Sequence, residues 1–301
     1  MRDNQVDSGV SVVLPAHGTV NFLTETLYSI LRSTSQPNEI LLVDDGFDLK
    51  VAREVRLNFP DVRIIPNEGK GLVDALNTGI SESRYDLIAR IDADDLMEPE
   101  RLEIQMHDFR SNAKLMLLGS QVKYIDDFGR LNGQSAYPVG DITAQTRQGQ
   151  KCLLAHPSVM FRRDAAISVG GYRHIFRIDN VDLSEDFDLW IRMSRFGLVL
   201  NSADSLTRYR QHGSQLSNVH RLPQELSTYY VRAVSKYENV DTQSAPHIEL
   251  HQSELVDLSV IKFVFDQIGF IQSLRFCIEF LAFKKIIGFR LRRILTRILR
   301  F

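Results

Sequence analysis

Over the first hundred residues the apolar positions change period repeatedly. Val10-Ser-Val-Val-Leu14 is a short apolar run closed by Pro15, the pattern of a buried strand, and Phe22 to Leu31 carries apolar residues at helical spacing. Glu39-Ile-Leu-Leu-Val43 is a second buried strand, ending on two aspartates and a glycine. Residues 48–58 fit a helix, Val62-Arg-Ile-Ile65 a third short strand, and Leu72 to Ile80 another helix. Leu87-Ile-Ala-Arg-Ile91 is a fourth strand, again running into aspartates. Strands alternating with helices predict an α/β fold, with a mostly parallel sheet covered by helices on both faces. From about 115 to 215 the pattern is less regular, with a strand at Leu115-Met-Leu-Leu118, a loop-rich stretch near 126–150 and a helix around Phe187–Phe196. Thinning of the apolar pattern near 220–250 divides the chain into a main domain over 1–220 and a helical region over 221–301.

Open sheets of this kind bind ligands in the crevice beyond the carboxyl ends of their strands. Two separate strands deliver aspartates to that edge, Asp44-Asp45 and Asp92-Ala93-Asp94-Asp95. Three carboxylates within four residues repel one another unless a cation or solvent neutralises them. Alternate side chains of such a loop can converge on an oxygen-liganded divalent ion, and Mg²⁺ and Mn²⁺ suit those ligands and bridge to phosphates. The run also fits an acidic surface turn capping the helix near Pro99. Asp44-Asp45-Gly46 reads either as a tight turn or as a carboxylate pair offered to a base and ribose.

Further along, Asn67-Glu-Gly-Lys70-Gly71 is a glycine-bearing loop before a helix, whose N-terminus is a favourable phosphate site, although a plain connection fits as well. Ser184-Glu185-Asp186-Phe-Asp188 places acids before an apolar helix. There an aspartate can serve as a general base, or Ser184 or Asp186 can cap the helix. Arg208-Tyr-Arg210-Gln-His212-Gly-Ser214 brings in a histidine, which joins a metal shell only if the fold carries it to the acidic cluster.

Composition narrows the setting. The 44% apolar and 25% charged content of the 301 residues is that of a folded protein, and two distant cysteines, Cys152 and Cys277, suggest neither a disulfide framework nor a zinc site. The N-terminus lacks a signal-peptide pattern, and no uncharged apolar run is long enough to span a bilayer, so a cytoplasmic protein is expected. Nucleic acid is not an expected partner. The net charge of −2 hides an asymmetry: Leu258–Phe301 holds nine Lys/Arg and two Asp/Glu, a net +7, leaving −9 for the remainder. On a helical wheel Ile287, Leu291, Ile294, Leu295 and Ile298 share one side of the last segment, and Arg290, Arg293, Arg297 and Arg300 gather on the other. The dominance of arginine on the polar face makes this the pattern of a helix lying in an anionic membrane interface; the alternative is a helix packed on the main domain with a solvated basic face.

Taken in order, the segments resemble the inverting family 2 glycosyltransferases with the GT-A fold. The resemblance is carried by Ser11-Val-Val-Leu-Pro15, Leu42-Val-Asp44-Asp45-Gly46, Asn67-x-Gly-x-Gly71, Ala75-Leu-Asn77-x-Gly79 and Ile91-Asp-Ala-Asp-Asp95 with Pro99. It continues through His156-Pro-Ser-Val-Met160-Phe-Arg162, Gly170-Gly-Tyr172, Glu185-Asp186-Phe-Asp188-Leu-Trp190-x-Arg192 and Arg210-Gln-His212-Gly-Ser214, and covers roughly residues 8–218. It implies a nucleotide-sugar-binding, Rossmann-like catalytic domain with a C-terminal helical appendage. Pro15, His17, Asp44, Asp45, Lys70, Asp92 and Ala93 would contact a donor, with Asp44 and Asp45 at the uracil and ribose. Asp94 and His212 would hold Mn²⁺ or Mg²⁺, and Asp186 would deprotonate an acceptor hydroxyl. His17-Gly18 replaces the family's usual Tyr-Asn pair, and Phe47 replaces a small polar residue, which bears on donor identity more than on fold. The Gln-x-x-Arg-Arg-Trp signature of processive synthases is absent, so addition of one sugar is expected. A tail lying on the membrane would hold the enzyme peripherally at the inner face of the cell membrane and bring its active site to a lipid-linked glycan acceptor; an undecaprenyl-diphosphate-linked glycan in surface-polysaccharide assembly fits the family. The rival readings are a sugar nucleotidyltransferase and a catalytically idle binding protein of the same fold.

Overall fold

The computed structural model describes residues 9–18, 20–149 and 151–212, a few helical positions between 224 and 235, and residues 248–250. The basic tail falls outside the described residues. Among the described residues no helix is long and apolar enough to cross a membrane.

The N-terminal half folds as its periodicity predicts. Strands β1 (Val10–Gly18), β2 (Glu39–Phe47), β3 (Val62–Pro66) and β4 (Leu87–Arg90) pair in parallel in the order β3-β2-β1-β4. Helices α1 (Leu23–Leu31), α2 (Leu49–Asn58) and α3 (Leu72–Glu82) make the crossovers. Strand alternation sorts the core into two layers. Val10, Val12 and Leu14 of β1 and Ile40 and Leu42 of β2 pack with Leu23, Leu27 and Ile30 of α1. Val13, Leu41 and Val43 face the opposite way, toward Val73, Leu76 and Ile80 of α3. Side chains this completely buried contribute about 1.5–3 kcal/mol each by area. Gly79 lets α3 lie against β1, since a Cβ there would collide with Val13.

Pro15 does not close β1 as the sequence suggested; the strand runs on to Gly18. The β4 partner reaches only to Val13, so on that side no ladder needs the missing N–H of Pro15, while the β2 side stays paired through Pro15 and Val43.

The C-terminal half makes the sheet mixed. Strand β5 (Leu96–Met97) and helix α4 (Arg101–Ser111) precede β6 (Leu115–Ile125), which runs seven residues beyond the expected Leu118. The stretch expected as loop holds β7 (Leu131–Gln134), β8 (Gly140–Asp141) and helix α5 (Thr143–Gln148). Strand β9 (Met160–Arg162) wedges antiparallel between β4 and β6, and β12 (Leu198–Arg210) pairs in parallel with β6. Between them lie helix α6 (Arg163–Ser168), hairpin strands β10 (Phe176–Ile178) and β11 (Val181–Asp182), and helix α7 (Glu185–Met193). The hairpin turns through Asp179 and Asn180, both at positive φ, as a two-residue turn of matching twist requires. A last strand, β13 (Ile248–Leu250), joins β10 in parallel, and Tyr230 and Val231 pack against Phe176 and Phe187.

Helix α7 starts two residues earlier than predicted and ends at Met193. Ser184 holds the N-cap position in a left-handed conformation, but its hydroxyl does not cap; it bonds to Ser227 Oγ at 2.6 Å and accepts from Gln224 Nε2. The run from Asp188 to Arg192 is a structural clamp. Asp188 binds Arg192 and Arg173, and Arg192 donates to the carbonyls of Val169 (2.6 Å) and Gly171 (2.7 Å). Asn77 completes it by bonding both the N–H and the C=O of Tyr172.

Candidate active site

The carboxyl ends of β1 and β4, the 152–157 segment, the start of α7 and the end of β12 surround a cleft of about 830 Å³. Pro15, His17, Asp92, Ala93, Asp94, Asp186 and His212 all line it, so the fold gathers seven of the ten residues singled out from sequence. Asp44, Asp45 and Lys70 are not on its wall.

Asp44 is a turn former, its carboxylate accepting from the N–H of Gly46 (2.9 Å) and Phe47 (3.1 Å). Asp45 ties β2 to the following loop by accepting from Asn67 Nδ2 (2.7 Å) and Gly71 N–H (3.0 Å). Its carbonyl meets His17 Nδ1 at 2.6 Å, which connects that loop to the cleft rim. Phe47, the departure noted after the Asp-Asp-Gly turn, is buried in the core rather than offered to a ligand. Lys70 is exposed, and its amide donates to Asp74 Oδ2 at 2.8 Å. Asp74, in the first turn of α3, thus supplies its own anion at the helix N-terminus.

The 92–95 loop is not a capping turn. The first residue of α4 is preceded by Glu100 without a side-chain cap, and Asp95 is buried, accepting from the N–H of Arg210 at 2.8 Å. Asp94 meets His212 Nε2 at 2.8 Å. Asp92 forms a two-pronged pair with Arg90 at 2.5 and 2.6 Å. Burial pushes Asp92 upward despite Arg90, with Asp94 adding to the effect. Burial raises Asp95 much further, reinforced by Asp92 and Asp94. Ligand oxygens of Asp92, Asp94 and Asp95 lie within 4.8 Å of one another, and Asp95 Oδ2 has no hydrogen-bond partner among the described residues. Crowded hard oxygens beside an imidazole fit Mg²⁺ or Mn²⁺.

Asp186 faces the same cleft from α7. Burial raises its pKa above the ordinary aspartate value, while the Phe187 N–H (2.7 Å), Arg90 and Cys152 pull the other way. A carboxylate so placed can take a proton from a hydroxyl closer to neutral pH than a solvated aspartate could. Its neighbour Glu185 is buried and raised far above its usual value, by burial first and then by Asp186. Opposite it, burial and then Arg90 hold His156 well below the ordinary imidazole range. His156 bonds to the Tyr172 hydroxyl (2.9 Å) and packs edge-on against Trp190, so it is a neutral spacer holding the base of the cleft.

Sequence reasoning missed Arg90, Cys152 and the role of Arg101. A charged residue inside the apolar run Leu87–Ile91 was the available signal for Arg90. Arg101, fully buried with its pKa lowered to about 9 by burial, donates to the carbonyls of Arg90, Pro157 and Val159. It thereby fixes the acidic loop against the 156–158 turn.

Residues 11–170 match the model of glycosyl transferase family 2. The chain is 28% identical to the amylovoran biosynthesis glycosyltransferase AmsE of Erwinia amylovora over 81% of this chain and 92% of that protein. It is 26% identical to the O-antigen biosynthesis glycosyltransferase WbnJ of Escherichia coli over 77% and 91%. It is also 28% identical, over 64% and 69%, to the Escherichia coli UDP-Gal:alpha-D-GlcNAc-diphosphoundecaprenol beta-1,3-galactosyltransferase. Among solved structures, residues 1–349 of Staphylococcus aureus TarS superpose with a TM-score of 0.57 at 14% identity, over 87% of this chain and 81% of that one. The same protein in complex with UDP-GlcNAc gives 0.54 at 15% identity, over 69% and 60%.

Proposed function

As a member of glycosyl transferase family 2 the chain is a glycosyltransferase, and we propose that it moves one sugar, with inversion, from a UDP-sugar to a hydroxyl of a glycan or lipid-linked glycan. The observation that carries this reading is the cleft in which Asp186 faces the cluster of Asp92, Asp94 and His212. The donor's uracil and ribose belong at the β1–β2 edge, against Pro15, His17 and Asp45, with Asp44 shaping the turn and Lys70 at the loop beyond. Asp92 and Ala93 follow at the ribose and diphosphate. Asp94 and His212 would hold Mn²⁺ or Mg²⁺, which when bound supplies charge stabilisation to the departing diphosphate.

The chemistry left to the chain is a single displacement. The acceptor oxygen attacks the anomeric carbon from the face opposite the diphosphate, and the bond to UDP breaks as the new glycosidic bond forms. Asp186 accepts the hydroxyl proton, and UDP leaves with the bonding electron pair. Buried Arg90 keeps Asp92 in place and lies within electrostatic reach of Asp186.

Several relatives are named for bacterial surface polysaccharides, and one for a diphosphoundecaprenol-linked substrate. That supports an acceptor of the same kind and a place in polysaccharide biosynthesis at the inner face of the cell membrane. The 1–220 unit would carry catalysis, and the basic tail of the 221–301 region would meet anionic lipid; salt-sensitive binding to anionic liposomes, lost on deleting 258–301, is the expected result.

UDP release with Mn²⁺ from UDP-glucose, UDP-galactose and UDP-N-acetylglucosamine tests the central reading, with Asp94→Asn and Asp186→Asn as controls. Release from at least one donor, abolished in both controls, is expected. No metal-dependent UDP binding and no release would refute it.

A further inference from the structure

One wall of the cleft is neither acidic nor part of the nucleotide edge. Tyr124 on β6 and Tyr209 on β12 stand side by side in register, their rings 6.0 Å apart and nearly perpendicular, and both line the cleft. Tyr137, from the segment after β7, joins them. This third ring is set deliberately. Gln121, buried on β6, donates to the Tyr137 carbonyl (3.0 Å) and accepts from the Tyr137 N–H (2.9 Å). The same oxygen accepts from Ser135 Oγ (2.8 Å), whose own oxygen accepts from Val122 N–H (2.9 Å). A buried amide that spends both ends on the backbone of one exposed-edge segment fixes that segment to the sheet.

The position of the wall decides what it meets. The sheet order places β6 four strands from β2, roughly 19 Å at about 4.8 Å per strand. A nucleoside held at β2 therefore cannot also reach these rings. Diphosphate is disfavoured beside them, because the Asp186 carboxylate lies within electrostatic reach of Tyr137. Burial drives the Tyr137 phenol upward, helped by Tyr124, Cys152 and Asp186, so it stays a neutral hydroxyl close to the proposed base. Neutral aromatic faces with phenol hydroxyls next to a proton acceptor suit a neutral polyol. A pyranose offers weakly positive C–H groups to the negative π faces and hydroxyls to the phenols.

We propose that Tyr124, Tyr137 and Tyr209, with Tyr137 set by Gln121, form the acceptor subsite and bind a neutral pyranose whose reacting hydroxyl points to Asp186. The assignment rests on the transferase reading above and deepens it. The full-length protein is assayed with Mn²⁺ and saturating donor, varying octyl β-glucoside, octyl β-galactoside and octyl 2-acetamido-2-deoxy-β-glucoside as acceptors. Binding of UDP with Mn²⁺ is measured by calorimetry in parallel. Tyr137→Ala is expected to raise the acceptor KM roughly tenfold or more, as loss of a ring contact implies. Gln121→Leu raises it severalfold although the tyrosine remains, and Tyr137→Phe, which keeps the ring and loses the hydroxyl, raises it less than Tyr137→Ala. The Kd for UDP keeps its wild-type value in all three. An acceptor KM within about twofold of wild type in Tyr137→Ala, or a parallel rise in the Kd for UDP, would overturn the assignment. So would wild-type UDP binding with no transfer to any of the three pyranosides. Failure of the wild type to bind UDP would instead strike the transferase reading itself.

Discussion

Asp188→Asn is expected to lower the melting temperature by roughly 6–12 °C, while Asp186→Asn, two residues away on α7, leaves it within about 2 °C. Asp188 meets Arg192 at 2.6 and 3.0 Å and Arg173 at 2.5 and 3.0 Å, and both Asp188 and Arg192 are almost wholly buried. Burial opposes its ionised form, yet the two guanidinium groups hold the Asp188 carboxyl below the usual aspartate range. Removing one partner of such a pair leaves an uncompensated buried charge and costs about 3–5 kcal/mol. Arg192 keeps the carbonyls of Val169 and Gly171, and an asparagine would keep one acceptor oxygen, so the lower end, about 3 kcal/mol, applies. For a unit of roughly 200 residues each kcal/mol moves the midpoint about 2–4 °C. Because the folded pKa is depressed, this stability is complete above the unfolded value and is lost as pH falls through the folded one. The gap between wild type and variant should thus be full at neutral pH and close in acid. Differential scanning calorimetry measures both. A gap under about 2 °C at neutral pH, or one that widens in acid, would refute the clamp.

Three further outcomes follow from the site. Asp94→Asn should abolish Mn²⁺-dependent UDP binding, and His212→Ala should weaken Mn²⁺ by about 10–100-fold, read by titration calorimetry; unchanged metal affinity in both would remove them from the metal site. Because burial raises the Asp186 pKa and only its carboxylate can accept a proton, kcat for UDP release should fall as pH drops through a value above that of a free aspartate; a profile flat down to about pH 4 would exclude Asp186 as the base. His174 bonds Asp182 (2.8 Å) and Asp74 (3.0 Å), and these carboxylates raise its pKa against the opposing effect of burial. The stability it adds is therefore complete below the unfolded histidine value and lost as pH rises through the folded one, so the melting-temperature advantage over His174→Gln should shrink as pH rises above about 6.5, the ordinary histidine value.

How far the sequence reached depended on whether the deciding interactions were local. The alternation Val10, Val12, Leu14 against Val13 fixed which face of β1 meets α1 and which meets α3, because strand side chains simply alternate. The two aspartate-ended strands marked the ligand edge for a similar reason. Strand β9 was out of reach: three residues, Met160 to Arg162, carry no measurable period, and their antiparallel insertion between β4 and β6 is set by distant partners. The fate of each acid was also non-local. Asp44 and Asp45 are adjacent, yet one closes its own turn and the other reaches across to Asn67 and Gly71. Asp186 and Asp188 differ because only the second is met by Arg173 and Arg192, the first of these lying on a different segment.

Lys70 and the α3 N-terminus suggested a phosphate site, but Asp74 lies three residues into that helix, where an acid commonly meets the free amides. An anion already supplied by the chain removes the reason for a second one at those amides. It also leaves the Lys70 side chain, rather than the helix end, as the group able to meet a donor phosphate. The same logic separates the two acidic loops. Asp45 has its carboxylate oxygen filled by two donors, whereas the 92–95 cluster is left with a buried oxygen on Asp95 that has no partner among the described residues, and with raised carboxyls on Asp92 and Asp95. Where the chain satisfies its own acids it is building structure; where it leaves three of them short of positive charge, a divalent cation is the group whose charge and hard-oxygen preference would complete the balance.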